Sequence, residues 1–530
     1  MQMKNILILG GGFGGVYTAM HLEKMLRPEQ ARISLVNTEN YFVYQPMLPE
    51  VISGSISTTD VVSPIKRLCP RTRLIMREVE KIDLDRKVVT VSRGFRPRRL
   101  ELPYDYLVIA LGTVTNFYGM PGMVEHAMPF RTLSHALMLR NHVIHALEEA
   151  DVETDKELRR KLLTFVVAGG GFSGVEVIAE LNDFVRTAAR SYPQIRPEEI
   201  RCVLVHSGDR ILPEMTAGLA NFAQDLLRER GVEIVLNDRL KAASSEKAIL
   251  RSGTEIPTKA IVSTAPSCLP DVLERLSCAK SGGRLTTNGE LALVSYEGQV
   301  WVVGDCAAST TKSGNRVPPT AQHATRAAKT VARNVTAAMQ RGRPRVFDFE
   351  GLGKLASLGH HSAVADVLGM RLSGFPAWFL WRTVYLLKMP GLDRKVRIGA
   401  DWFSALLFPP DQVQLKILTA SSIAQQHFEP GEIVFSEGDL GDSVYVIRAG
   451  ECEVLRETAR GPQRLAVLRQ GDYFGEMAVL SDASRNATVR AISALEVLVI
   501  SKPMFDMLKA NVPAFRDVFQ GLADRRAALD

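Results

Sequence analysis

"NILILGGGFGGVYTAMHLEKML" (residues 5–26) runs from an apolar strand through a cluster of glycines into a helix. Gly10, Gly12 and Gly15 fit the spacing GxGxxG. The first glycine permits a tight turn, the second lets the backbone approach a pyrophosphate, and the third lets helix and strand pack closely. Phe13 and Gly14 then open the helix, whose N-terminal amides suit an anion. The spacing alone is weak, but here a strand precedes it and a second strand, "ARISLVN" (31–37), follows at the right distance. That context predicts a dinucleotide-binding unit. The end of the second strand normally carries an acid for the ribose hydroxyls, and this chain has Asn37, which can bond a hydroxyl without charge.

The same pattern returns in "LLTFVVAGGGFSGVEVIAELNDF" (162–184), with Gly169, Gly171 and Gly174, and with Phe172 and Ser173 opening the helix. Its second strand, "IRCVLVHSG" (200–208), ends on His206 where the acid would stand. An imidazolium there would tolerate a 2′-phosphate, or His206 simply ends a strand at the surface, so NADH and NADPH both stay open. Two such units imply two dinucleotides, and a flavin with a nicotinamide is the economical pair.

At 530 residues the chain is too long for one core. Its 46% apolar and 23% charged residues are ordinary for globular proteins and argue against disorder. The net charge of +7 suits an acidic membrane surface or a polyanionic cofactor. No basic run interleaved with aromatics marks nucleic-acid binding, and the basic stretch "RGFRPRR" (93–99) reads as a solvated hairpin turn. The six cysteines show no CxxC or CxxxxC pair, which fits a reduced compartment better than a zinc site or a disulfide framework. His135, His142 and His145 recur at helical spacing, but nothing completes a ligand set, so a surface helix is expected and no metal. The first strand begins near Lys4, leaving no room for a signal peptide.

Further motifs narrow the assignment. "YDYLVIALGTVTNF" (104–117), with Gly112, and "VWVVGDCAAS" (300–309), with Gly304 and Asp305, resemble the return strand and flavin-closing motif of two-dinucleotide flavoproteins. "YFVYQPMLPEVISG" (41–54) and "PPTAQHATRAA" (318–328) are similar to segments of the type II NADH dehydrogenases. Those are peripheral flavoenzymes that pass electrons from NADH through FAD to a quinone without pumping protons. The resemblance covers roughly the first four-fifths of the chain.

It implies that FAD is held by Gly10, Gly12, Phe13, Gly14, Gly15, Asn37, Gly112, Gly304, Asp305, Ala321 and Gln322, with Asp305 on the ribityl chain. It further implies that the nicotinamide dinucleotide is held by Gly169, Gly171, Phe172, Ser173, Gly174, Glu176 and His206. Glu176 matches a glutamate near the nicotinamide–flavin contact that is linked to proton movement, though it also suits a helix N-terminus. "AQHATR" matches the family's AQxAxQ beside the quinone. Gln322 is kept, and Arg326 replaces the second glutamine, where a cation could stabilise a reduced quinone oxygen. Arg326 could equally be an exposed structural residue, or mark a different acceptor. Disulfide reductases need a dithiol beside the flavin, and sulfide:quinone reductases a separated cysteine pair. Only Cys306 lies in a flavin motif, and packing explains it. A soluble or sulfide-linked flavin oxidoreductase, or a flavin redox sensor, stands as the alternative.

A quinone acceptor requires contact with lipid. "LSGFPAWFLWRTVYLLKMPG" (372–391) is too short and too charged to span a bilayer. Trp378, Trp381 and Tyr385 at helical spacing, cationic flanks, and "DWFSALLF" (401–408) predict an interfacial helix on the cytoplasmic side of the bacterial inner membrane. A homodimer interface is the competing expectation.

After "PPDQVQL" (409–415) the texture changes to short alternating runs broken by glycine, which predicts a small jelly roll. "GDYFGEMAVLSDASRNATV" (471–489) resembles the phosphate cassette of cyclic-nucleotide-binding domains. The resemblance places Phe474, Gly475, Glu476 and Met477 at the ligand, with Glu476 on the ribose 2′-hydroxyl. Arg485 pairs with the cyclic phosphate, followed by Asn486 and Ala487. cAMP is preferred over cGMP by analogy.

The expected fold class is therefore α/β: two Rossmann-like units, a membrane-associating segment, and an all-β barrel with flanking helices. The expected division is 1–116 and 286–345 for FAD, 117–285 for NAD(P)H, 346–412 for the membrane, and 413–530 for the cyclic nucleotide.

Overall fold

The computed structural model describes residues 3–92, 100–117, 119–264, 267–408, 412–415, 423–439, 441, 443–458, 461–481, 484–502 and 504–505. The basic stretch 93–99 and residues 506–530, within which a flanking helix of the barrel is expected, lie outside these residues.

Strand Lys4–Leu9 is the middle of a five-stranded parallel sheet. Its neighbours are Ala31–Asn37 and Tyr106–Ile109, with Arg73–Met76 and Val300–Val302 at the edges. Four of the six residues in Lys4–Leu9 are buried, as expected for a strand covered on both faces. Helix Phe13–Met25 packs on helix Ala321–Met339, so the chain's first helix is held by one that arrives three hundred residues later.

A second parallel sheet has the order Ala127–Pro129, Ala260–Ser263, Thr164–Ala168, Arg201–Val205, Val232–Val235. It is inserted between the fourth and fifth strands of the first. The two sheets are joined by an antiparallel ribbon, Val114–Thr115 with Ser267–Cys268. Both sheets therefore place the C-terminal ends of their central strands, and the glycine turns that follow, where open α/β sheets bind ligands.

Strands Gly353–Ser357, Ala363–Val367 and Met370–Ser373 form an antiparallel sheet that leads into helices Gly374–Lys388 and Leu392–Leu407. Among the described residues, no helix is long and apolar enough to cross a membrane. Two four-stranded antiparallel sheets follow, ordered 423–428, 495–501, 443–449, 473–474 and 433–435, 488–491, 452–456, 463–468. Their inner faces share a core that includes Phe428, Ile447, Phe474, Val489 and Val497, the expected jelly roll.

The aromatic stripe requires a correction. Trp381 is fully buried, and its ring meets Tyr385 edge-on, with centroids 4.8 Å apart. Trp378 lies half-buried against His361 and beneath Arg382. These side chains face the protein, because Arg382 must reach an acid in the interior. The exposed apolar side chains instead include Phe375, Phe379, Leu387, Leu392, Val396, Phe403, Leu407 and Phe408.

Candidate active site

The two glycine turns are built alike. Gly10 and Gly169 have φ of +104° and +114°, a region that favours glycine. A Cβ on Gly10 would strike the Ala110 carbonyl, and one on Gly15 the Gly10 carbonyl. In the second turn, Gly169 faces Thr264 Oγ1 and Gly174 faces the Gly169 carbonyl in the same way. The middle glycines, Gly12 and Gly171, meet nothing within 4 Å. Each is the N-cap of its helix, ahead of Phe13–Gly14 and Phe172–Ser173. Closed first and third positions with an open middle one form a cradle for a pyrophosphate on helix amides. The residues present fit a dinucleotide in both units.

Asn37 and His206 prove to have a shared structural task. Asn37 Oδ1 accepts the Gly11 N–H at 2.8 Å, and His206 Nδ1 accepts the Gly170 N–H at 3.0 Å. Each side chain thus ties the strand end to its glycine loop. An Nδ1 that accepts carries no proton, and burial lowers the affinity of His206 for a second one. The imidazolium considered for a 2′-phosphate is not the form this geometry holds.

Gly112 and Gly304, at φ +64° and +84°, both border open space. Asp305 follows, with Arg131 Nη2 at 3.8 Å from its Oδ2. Cys306 is fully buried, and burial pushes its thiol up to about 12, as expected of a packing residue. Helix Ala321–Met339 begins nearby. The Gln322 amide is committed to the backbone, accepting the Leu352 N–H at 3.1 Å and donating to the Gly353 carbonyl at 3.0 Å. Arg326 stacks its guanidinium on Phe349 at 4.4 Å. The structure thus holds Gln322 and Arg326 on the segment that enters the 353–373 sheet.

Sequence reasoning named Glu176 but missed the buried acids around it. Glu176, Glu180 and Asp183 fall at i, i+4 and i+7 of helix Phe172–Ala188, on one face. Burial pushes Glu176 up to about 8, against the opposing Ser357 N–H at 3.1 Å. Burial and the neighbouring Glu50 push Glu180 to about 8, and burial pushes Asp183 to about 6. Glu50 is buried from helix Pro49–Ser53, with Arg382 Nη2 at 3.6 Å. Arg382 also lies between the rings of Trp378 and Trp402, 4.3 Å from each. A cavity of about 520 Å³ opens beside this cluster, lined by Glu180, Asp183, His361, Arg382 and Phe408. The available signal was a charged residue in each of two apolar runs, "MLPEVI" and "FLWRTV".

In the barrel, Glu476 and Arg485 are both buried. Arg485 Nη1 donates to the Gly475 carbonyl at 2.6 Å, Nη2 donates to the Ser443 carbonyl at 2.9 Å, and its guanidinium stacks on Phe435 at 4.2 Å. The cassette residues named from the sequence therefore converge. Phe474 packs in the core, Met477 follows in the short helix Glu476–Ser481, and Ala487 is buried beside an exposed Asn486.

Comparison with known proteins bears on most of the chain. The pyridine nucleotide-disulphide oxidoreductase family model matches residues 4–328, the NDH2 C-terminal domain matches 352–411, and the cyclic nucleotide-binding domain matches 425–511. A Dictyostelium discoideum protein named "Probable NADH dehydrogenase" is 29% identical over 419 residues, covering 78% of this chain and 91% of its own. The type II NADH:quinone oxidoreductase of Staphylococcus aureus (strain NCTC 8325 / PS 47) is 28% identical over 393 residues, 72% of this chain and 94% of its own. In fold, the chain is similar to NDH2 from Plasmodium falciparum solved with NADH. The TM-score is 0.71 at 18% identity, over 78% of this chain and 100% of that one.

Proposed function

The chain belongs to the pyridine nucleotide-disulphide oxidoreductase family, and from that premise we propose how it works: as a type II NADH:quinone oxidoreductase joined to a cyclic-nucleotide receptor. The observation that carries this is the pair of matching glycine cradles in one chain with an NDH2 C-terminal domain and no exchange dithiol. FAD in the first unit would take a hydride from NADH and hand the electrons to a quinone.

Each part of the chain has a task in that reaction. Residues 1–116 and 286–345 hold FAD, with Gly10, Gly12, Gly15, Gly112, Gly304 and Asp305 at the cofactor. Residues 117–285 hold NADH through Gly169, Gly171 and Gly174. A neutral His206 offers nothing to balance a 2′-phosphate, which favours NADH over NADPH. Glu176, held protonated at neutral pH, can keep a proton beside the reacting dinucleotides. Gln322 braces the helix that borders the quinone, and Arg326 supplies a cation four residues on. Residues 346–412 rest on the cytoplasmic face of the membrane through Phe375, Phe379, Phe403 and Leu407, placing the acceptor's lipid within reach. Residues 413–530 take cAMP, with Arg485 on the phosphate and Glu476 on the ribose.

Anaerobic mixing of the flavin-loaded protein with NADH, and separately with NADPH, tests the reading. Rapid loss of flavin absorbance with NADH and recovery on adding a quinone are expected. Bleaching by NADPH alone, or by neither, overturns the donor assignment.

A further inference from the structure

The barrel sits directly on the nicotinamide unit. The His126 ring meets both backbone polar groups of His427, with Nε2 at 2.7 Å from the carbonyl oxygen and 3.1 Å from the N–H. Gln425 donates to Glu125 at 3.1 Å, and Ser244 Oγ donates to Glu432 at 2.7 Å. The seam is tight: a Cβ on Gly122 would strike the Ala243 carbonyl and lie 3.0 Å from the His427 ring.

Both sides of this seam lead to a site. His126 ends the short helix Met123–His126, and the chain continues as strand Ala127–Pro129, paired in parallel with Ala260–Ser263. Two residues beyond that strand stands Arg131. Its backbone N–H donates to His135 Nδ1 at 3.2 Å, and its carbonyl accepts from Gln45 at 3.4 Å. Its Nη2 donates to Thr113 Oγ1 at 2.9 Å and lies 3.8 Å from Asp305 Oδ2. Arg131 is thus fixed by three elements while it faces the carboxylate of the flavin-closing motif. On the barrel side, Glu432 and Gly431 exchange backbone bonds with Ala491, the end of the strand that starts three residues after Arg485. Strand Ile423–Phe428, which carries His427, pairs with 495–501, which pairs with 443–449, where the Ser443 carbonyl accepts from Arg485.

We infer that Arg131 is the positioning residue for Asp305, and that the barrel acts on it through the His126–His427 seam. This inference rests on the reading above that the first unit holds FAD and the barrel a cyclic nucleotide. A phosphate entering the cassette competes with the Gly475 and Ser443 carbonyls for the Arg485 guanidinium, because a charge-assisted bond to an anion is the stronger one. Releasing Ser443 and shifting the start of 488–491 disturbs two routes to the seam, one through 443–449, 495–501 and 423–428, the other through 488–491 to Gly431 and Glu432. The seam then carries the change along five residues to Arg131, with no second chain required.

Linkage makes the test reciprocal: if the nucleotide alters flavin binding by some factor, flavin alters nucleotide binding by the same factor. Fluorescent cAMP is titrated into the full chain with and without FAD, and the visible circular dichroism of the bound flavin is followed as cAMP is added. The expected result is a difference in cAMP affinity on the order of fivefold between the two forms, with a change in the flavin band. His126→Ala should bring the ratio to one with cAMP still bound, and Ser244→Ala should reduce it. Arg131→Met should abolish the flavin-band response, and Arg131→Lys should restore part of it. Equal affinities in the wild type, or an undiminished ratio in His126→Ala, would overturn the inference while leaving both ligand assignments intact. A wild-type chain that binds no cyclic nucleotide overturns the inference together with the receptor assignment, and the titration separates that case directly.

Discussion

The indole N–H of Trp402 donates to the Glu50 carboxylate at 2.7 Å, joining helix Leu392–Leu407 to a turn 352 residues earlier in the chain. Arg382 stands at 3.6 Å from the same carboxylate, so three segments meet at one buried charge pair. Burial raises the proton affinity of Glu50 and Arg382 opposes it. Removing one partner leaves the other buried and uncompensated. Arg382→Ala should therefore destabilise the chain by about 3–5 kcal/mol, whereas Glu50→Gln with Arg382→Met should recover much of the loss. Thermal unfolding followed by tryptophan fluorescence checks this; equal melting temperatures for wild type and Arg382→Ala would contradict it.

The acids on helix Phe172–Ala188 predict an alkaline weakness. A carboxyl whose affinity for its proton is raised by folding contributes stability below its unfolded value of about 4.5, and loses it as pH climbs through its folded value. For Glu176 and Glu180 that window closes at about 8. The apparent Tm should fall as pH rises toward 8, and Glu180→Gln should flatten the fall, gaining roughly 2–4 °C on the alkaline side. A steeper fall in the variant would count against burial as the cause.

Glycine replacements should separate the cradle's roles. Gly15→Ala places a methyl against the Gly10 carbonyl, so the first unit should lose its fold and, on the proposed reading, its FAD together. Gly12→Ala meets nothing in the protein itself. That variant should fold with an unchanged far-ultraviolet spectrum yet retain FAD less tightly, as read by the flavin-to-protein absorbance ratio after dialysis.

The proposed membrane face rests on the exposed apolar side chains of the two helices after residue 374. Each buried aromatic contributes about 1.5–3 kcal/mol. Changing Phe375 and Phe379 to Ser should release the protein from anionic vesicles in a flotation assay, with little effect on Tm because neither side chain packs in the core. Trp381→Ser should do the reverse.

Arg485→Leu removes the only guanidinium among the described cassette residues. Cyclic-nucleotide affinity should fall 10- to 100-fold, roughly the 1.5–3 kcal/mol of a hydrogen bond to a charge. Isothermal titration calorimetry on the full chain measures it.

Local motifs were legible because their physics is local. A glycine turn needs its glycines within six residues, so Gly10–Gly15 and Gly169–Gly174 could be read without any tertiary knowledge. The cassette from Phe474 to Ala487 is compact for the same reason. Orientation was not legible. Helix Gly374–Lys388 is apolar nearly all round, so spacing marks a stripe through Trp378, Trp381 and Tyr385 without saying which side faces water. The Glu50–Arg382–Trp402 cluster depends on three distant segments meeting, and no window of sequence contains it. Asn37 and His206 fall between these cases. Their matching positions were visible, but that both hold a glycine loop became clear only from the bonds to Gly11 and Gly170.

The insertion of one parallel sheet inside another sets an order of birth on the ribosome. All five strands of the second parallel sheet have been made once Ser263 is synthesised, while the first sheet still lacks its edge strand Val300–Val302, and its first helix lacks the partner that begins at Ala321. Synthesis thus supplies the second unit in full before the first, although the first is begun earlier. The opening strands must wait, half-covered, through about two hundred further residues of translation, with their unpaired edge and apolar faces open to wrong partners meanwhile.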